Sequence, residues 1–173
     1  MPDQSIIIAA VDLDGRAVAV LAHAARLAAV CQGHLVLVHV VDYVGGFESD
    51  LPFPQRPGAV LDDMVRHARA GLVGMVSHLE LDPKRVEVRV ESGPVAETLA
   101  GLAGLLKPRY WVIGQSRLGL LSPTAGLAAV LKARSDCEVL AVPSTPVGVG
   151  KAILARMRHW VGADLGAPTG HPR

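Results

Sequence analysis

Short apolar runs separated by helix-length segments constrain this chain most. The first is IIIAAV at 6–11, followed by HLVLVHVV at 34–41, YWVIG at 110–114 and EVLAVP at 138–143. A strand that is apolar at nearly every position is buried on both faces, which requires a sheet with helices packed above and below it. A further segment, RVEVRVES at 85–92, alternates strictly and predicts a strand with one wet face, at a sheet edge.

The intervening segments read as helices. Residues 18–32 are rich in alanine and stop at Gly33, the expected helix terminator. Apolar residues recur at helical spacing from 59 to 80, with Asp62 and Asp63 in the first turn, where the helix dipole favours them. Gly93-Pro94 opens a third helix, which runs to about Lys107. Ser122-Pro123 opens a fourth, with serine as N-cap and proline at the first helical position. The alternation βαβαβαβαβ predicts a doubly wound, five-stranded parallel sheet of order 3-2-1-4-5, Rossmann-like, with helices on both faces.

At 173 residues the chain suits one domain, expected over 1–145. Residues 146–173 then read as a linker, a short basic amphipathic helix at 151–161 and a flexible end. Ile153, Leu154, Met157 and Trp160 share one face of that segment, which suits docking on the domain or on a protein partner. A net charge of +1 argues against a nucleic-acid surface. The start lacks a basic signal-peptide region, and no apolar run approaches the roughly 20 residues that span a bilayer. The expectation is a cytoplasmic protein. Cys31 and Cys137 lack metal or redox spacing and read as reduced thiols used as small core residues.

In an open α/β sheet a ligand crevice forms where the strand order reverses, beyond the carboxyl ends of the strands. Here that point lies between the first and fourth strands, so the turns VDLDG at 11–15 and GQSRLG at 114–119 border it. Neither carries GxGxxG or GxxxxGK[ST]. Asp12 and Asp14 would repel a phosphate at the first turn. Asp12 could instead accept from a base amino group or a ribose hydroxyl, and both aspartates are also placed to cap the next helix. No HExxH or GxSxG motif appears, and His23, His39, His67 and His78 share no ligand spacing. No catalytic residue and no metal site is expected. His39, inside the second strand, reads as a hydrogen-bonded core histidine.

The segments IIIAAVD, HLVLVHVV, ESGPVAETL, YWVIGQSRLG and CEVLAVP, in that order, resemble the universal stress protein family over residues 5–144. ATP-binding members of that family carry G-x2-G-x9-G-[ST] after the fourth strand. Applied here, Gly114 matches the first glycine and Arg117 replaces the second. The final pair falls on Leu127 and Ala128, or on Gly126 and Leu127 with one deletion. The resemblance is therefore to A-type members that lack the motif, and the loop beginning VHVVDYVGGFESDL supports it. It implies a non-enzymatic stress-response homodimer joined through the fifth strand, with Val139, Leu140, Ala141 and Val142 at the contact. No cofactor is expected. The alternative it implies is a weak ATP or AMP switch with magnesium and slow hydrolysis, using Asp12, Val41, Gly114, Arg117 and Gly126. Fold alone would also admit a flavin or another adenylate.

Overall fold

A computed structural model describes residues 5–13, 17–42, 58–77, 82–115 and 123–143. Five strands, β1 (Ile6–Ala10), β2 (His34–Val41), β3 (Val86–Ser92), β4 (Tyr110–Gln115) and β5 (Glu138–Pro143), form one sheet. Its order is β3-β2-β1-β4-β5, and every pair is parallel. The helices are α1 (Ala17–Val30), α2 (Ala59–Ser77), α3 (Val95–Leu106) and α4 (Pro123–Arg134).

The period of two along each strand sorts the core into two halves. Ile7, Ala9, Leu35, Leu37 and Val112 face α1 and α2, meeting Val20, Leu21, Ala24 and Leu72. Ile8, Val36, Val38, Trp111 and Ile113 face α3 and α4, meeting Leu99, Leu102, Ala103 and Leu131. Both faces of the central strands are thus dry, as their unbroken apolar character requires.

Trp111 is fully buried, and its indole Nε1 has no hydrogen-bond partner among the described residues. An unpaired buried donor costs about 1–3 kcal/mol, which offsets part of the packing that the ring supplies. Trp111→Phe should therefore lower stability by less than about 1.5 kcal/mol, against about 3–5 kcal/mol for Trp111→Ala. Urea denaturation of the two variants checks this. A Phe variant as unstable as the Ala variant would contradict it.

Four details depart from the sequence expectations. Gly33 is not the left-handed residue that ends α1: Gln32 takes that conformation (φ 49°), and the Gly33 N–H closes the turn onto Ala28 O at 2.9 Å. Gly33 is needed for space instead. A Cβ there would lie 2.5 Å from the Ser5 carbonyl oxygen and collide with Ile7 Cδ1.

The edge strand β3 does not alternate between wet and dry. Val86 to Glu91 are all half-buried, because α2 packs on the valine face and α3 reaches the other. Arg89 also folds onto Glu87, with Nε 2.5 Å from Oε1. Cys31 and Cys137 are free thiols, but they sit half-buried at the margins of the two core halves rather than within them. α2 begins at Ala59, so only Asp62 falls in its first turn, and Asp63, one residue further on, pairs with Arg66 on the exposed side of the helix.

β5 lies at the second edge, paired only with β4. Val142 is buried within the first half of the core and Val139 packs against the second, while Ala141 is exposed. Two of the four side chains of the expected contact segment, Val139 and Val142, therefore pack into the chain's own core, and along the open edge the strand presents its backbone. The fourth-helix start at Ser122 and the segment 144–173, including the expected basic helix, lie outside the described residues.

Candidate functional site

Beyond the carboxyl ends of β1, β2 and β4 a cavity of about 360 Å³ opens on the α3/α4 face of the sheet. Its floor is Ala10, Val38 and Ile113, its walls are Leu99 and Val95 of α3 and Leu127 of α4, and Val40 closes one side. These residues line it because one phase of the strand alternation faces α3 and α4. The size and the mostly apolar lining suit a small molecule about as large as a nucleoside.

The polar character of the cavity comes from few groups. Asp12 at the end of β1 and Asp42 at the end of β2 line it, and both are exposed. Among the described lining residues there is no Lys or Arg. The first turn of α3 contributes Val95 and Ala96. Pro94 is the N-cap of that helix and makes no side-chain cap, so the first α3 amides are directed outwards without one. Gly93 makes the turn into α3 at φ +132°, and its N–H donates to Val41 O at 3.1 Å. The cleft is therefore bordered by carboxylates on one side and by the first turn of α3, which has no side-chain cap, on another.

The sequence-derived candidates distribute unevenly around it. Asp12 and Gly114 line the cavity. A Cβ at Gly114 would meet only Val20 Cγ2, at 3.5 Å on the α1 side, an ordinary contact. Val41 is buried and absent from the lining, whereas its neighbours Val40 and Asp42 are in it. Successive strand residues point to opposite faces, and Val41 holds the other phase. Gly126 is exposed on α4 and also outside the lining, while Leu127 is in it and packs against the second half of the core. Arg117 and Asp14 lie outside the described residues.

Sequence reasoning missed Asp42 and the first turn of α3. The signal for the latter was present in Gly93-Pro94, a sharp turn that leads straight into a helix. His39 is half-buried and its Nδ1 lies 2.8 Å from Val11 O, in keeping with the hydrogen-bonded histidine expected. Among the described residues no three His, Cys, Asp or Glu side chains gather as metal ligands, and no helix is long and apolar enough to cross a membrane.

The sequence profile described as the universal stress protein family matches residues 5–143, most of the chain. The chain belongs to the universal stress protein family. Among solved structures, this stress protein is similar to a family member from Burkholderia pseudomallei, at 26% identity and TM-score 0.58, covering 83% of this chain and 98% of that one. A universal stress protein in complex with cAMP is 18% identical with TM-score 0.52, covering 82% and 98%. One from Archaeoglobus fulgidus in complex with dAMP is 16% identical with TM-score 0.50, covering 82% and 99%. The last two likenesses concern the fold alone. No curated protein sequence matches this universal stress protein.

Proposed function

We propose that this universal stress protein is a non-enzymatic homodimer whose remnant phosphate loop does not hold a triphosphate. The observation that carries the reading is the position of Gly126 and Leu127 inside α4, which begins at Pro123. To bind phosphate, the last glycine and its hydroxyl partner must present unused amides where a helix starts. From its fifth residue onward a helix uses its amides in its own i→i−4 bonds, and Leu127 is that residue. Its side chain turns to the apolar wall of the cleft, where a hydroxyl would be required. Asp12 and Asp42 add negative charge, which a triphosphate would have to overcome.

A second reading has its own support. Apolar walls, carboxylate acceptors and the α3 amides in one cleft suit an adenine nucleoside or monophosphate, and two structural relatives are complexes with cAMP and dAMP. Asp12 would accept from the base or ribose, and the α3 turn would meet the single phosphate.

Calorimetric titration with ATP plus magnesium, and separately with AMP, distinguishes the readings. The expected result is no ATP binding up to millimolar concentration. Micromolar ATP affinity lost in Asp12→Ala would overturn the first reading. AMP binding weakened roughly ten-fold by Asp12→Ala would establish the second, since a hydrogen bond to a charged group is worth about 1.5–3 kcal/mol.

A further inference from the structure

The strands β1 and β2 separate where the cleft begins, and a side chain marks the place. The ladder runs in register from Ile6–His34 to Ala10–Val38, and one more backbone bond follows, from Val11 N–H to Val38 O at 2.9 Å. At the next rung the Val11 carbonyl meets the imidazole of His39, with Nδ1 at 2.8 Å. A carbonyl oxygen only accepts, so Nδ1 carries the hydrogen and donates it. Backbone pairing to β2 thus gives way to a side-chain bond, and β1 is held at its end while the chain turns off towards Asp12.

The peptide that links Val11 to Asp12 is planar and trans, so its N–H points opposite to its C=O. With the Val11 carbonyl held towards β2, the Asp12 amide is directed towards β4, the side of Gly114 and the crevice. We propose that His39 is a positioning residue for the cleft, fixing the Val11–Asp12 peptide and with it the direction in which Asp12 meets a ligand. His39 does not line the cavity itself and acts through the main chain of Val11, which is buried. The ligand arm of the test rests on the monophosphate reading; the spectroscopic arm does not.

Asparagine places an amide N–H at the same number of bonds from Cβ as Nδ1, whereas leucine keeps the bulk and removes the donor. In the wild-type chain, long-range 1H–15N NMR correlation should show the Nδ1–H tautomer for His39. The Asp12 amide resonance should move in His39→Leu and return towards its wild-type position in His39→Asn. With AMP as the probe, His39→Leu should weaken binding roughly five- to ten-fold and His39→Asn less than about two-fold, the range of one net hydrogen bond. A histidine in the Nε2–H form, or an Asp12 amide unmoved in His39→Leu, would overturn the proposal. So would equal losses of AMP affinity in both variants, which is what a role in packing alone gives. If the wild-type chain takes up no AMP, the monophosphate reading falls and the tautomer and the Asp12 resonance decide the role of His39.

Discussion

Gly33→Ala is expected to destabilise the fold by about 2–3 kcal/mol, the upper range for forcing a methyl group into filled space. On a chain of this length that lowers the melting temperature by roughly 5–10 °C. The added Cβ would stand 2.5 Å from the carbonyl oxygen of Ser5, a main-chain atom with little freedom to move aside. That carbonyl also accepts the His34 N–H at 2.8 Å, just before the Ile6–His34 pair that starts the β1–β2 ladder. Relieving the clash therefore costs a hydrogen bond at the start of the central ladder, and Ile7, fully buried, would have to leave its rotamer. Gln32→Gly provides the contrast. It relieves a side chain from the left-handed conformation (φ 49°) and should leave stability unchanged or raise it by up to about 1 kcal/mol. Thermal denaturation followed by circular dichroism measures both. A Gly33→Ala chain within 2 °C of the wild type would show that the Ser5–Ile7 packing yields easily.

Ala141→Pro is expected to convert the proposed homodimer into monomers with the subunit fold retained. The direction of each β5 amide follows from one bond, Glu138 N–H to Arg109 O at 3.0 Å, on the β4 side. Backbone groups along a strand alternate sides with period two, so Leu140 and Val142 also address β4, whereas Val139 and Ala141 address the open edge. Proline at 141 removes an outward N–H and leaves the β4 ladder whole, a setting in which a sheet tolerates proline. Pro143 already occupies an outward position of the same strand. Leu140→Pro, on the inward phase, should instead destabilise the subunit by about 3 kcal/mol or more. Light scattering with circular dichroism separates the two outcomes. A dimer that survives Ala141→Pro would move the subunit contact away from this edge.

Most of the architecture was legible because burial on both faces leaves a mark that a single sequence carries. IIIAAV, HLVLVHVV and YWVIG have few polar residues to offer water, so they had to lie inside a sheet covered on both sides. Five strands separated by helix-length segments then leave few right-handed parallel arrangements, and the observed order is among them. The site was less legible. Asp12 and Gly114 could be placed beside the cavity from sequence because they lie at the ends of the two strands where the strand order reverses. The family resemblance implies Val41, and it is Val40 that lines the cavity: in a strand apolar apart from His34 and His39 the sequence does not say which alternate residue faces which helix layer. Asp42 and the α3 turn join the cleft only through the parallel packing of β2 beside β1, a long-range contact with no local signature.

Sequence alone determined the class of fold, the placement of the crevice at the ends of the first and fourth strands, and the presence of Arg117 and Leu127 where the resemblance to ATP-binding members implies phosphate-loop residues. Each depends on residue type and local spacing. Only the tertiary structure decided that Gly33 serves close packing rather than a left-handed turn, that His39 holds the Val11 carbonyl, and that Ala141 rather than Leu140 addresses the open edge. Those three depend on which atoms from distant parts of the chain come within bonding or contact distance, and packing alone brings them there.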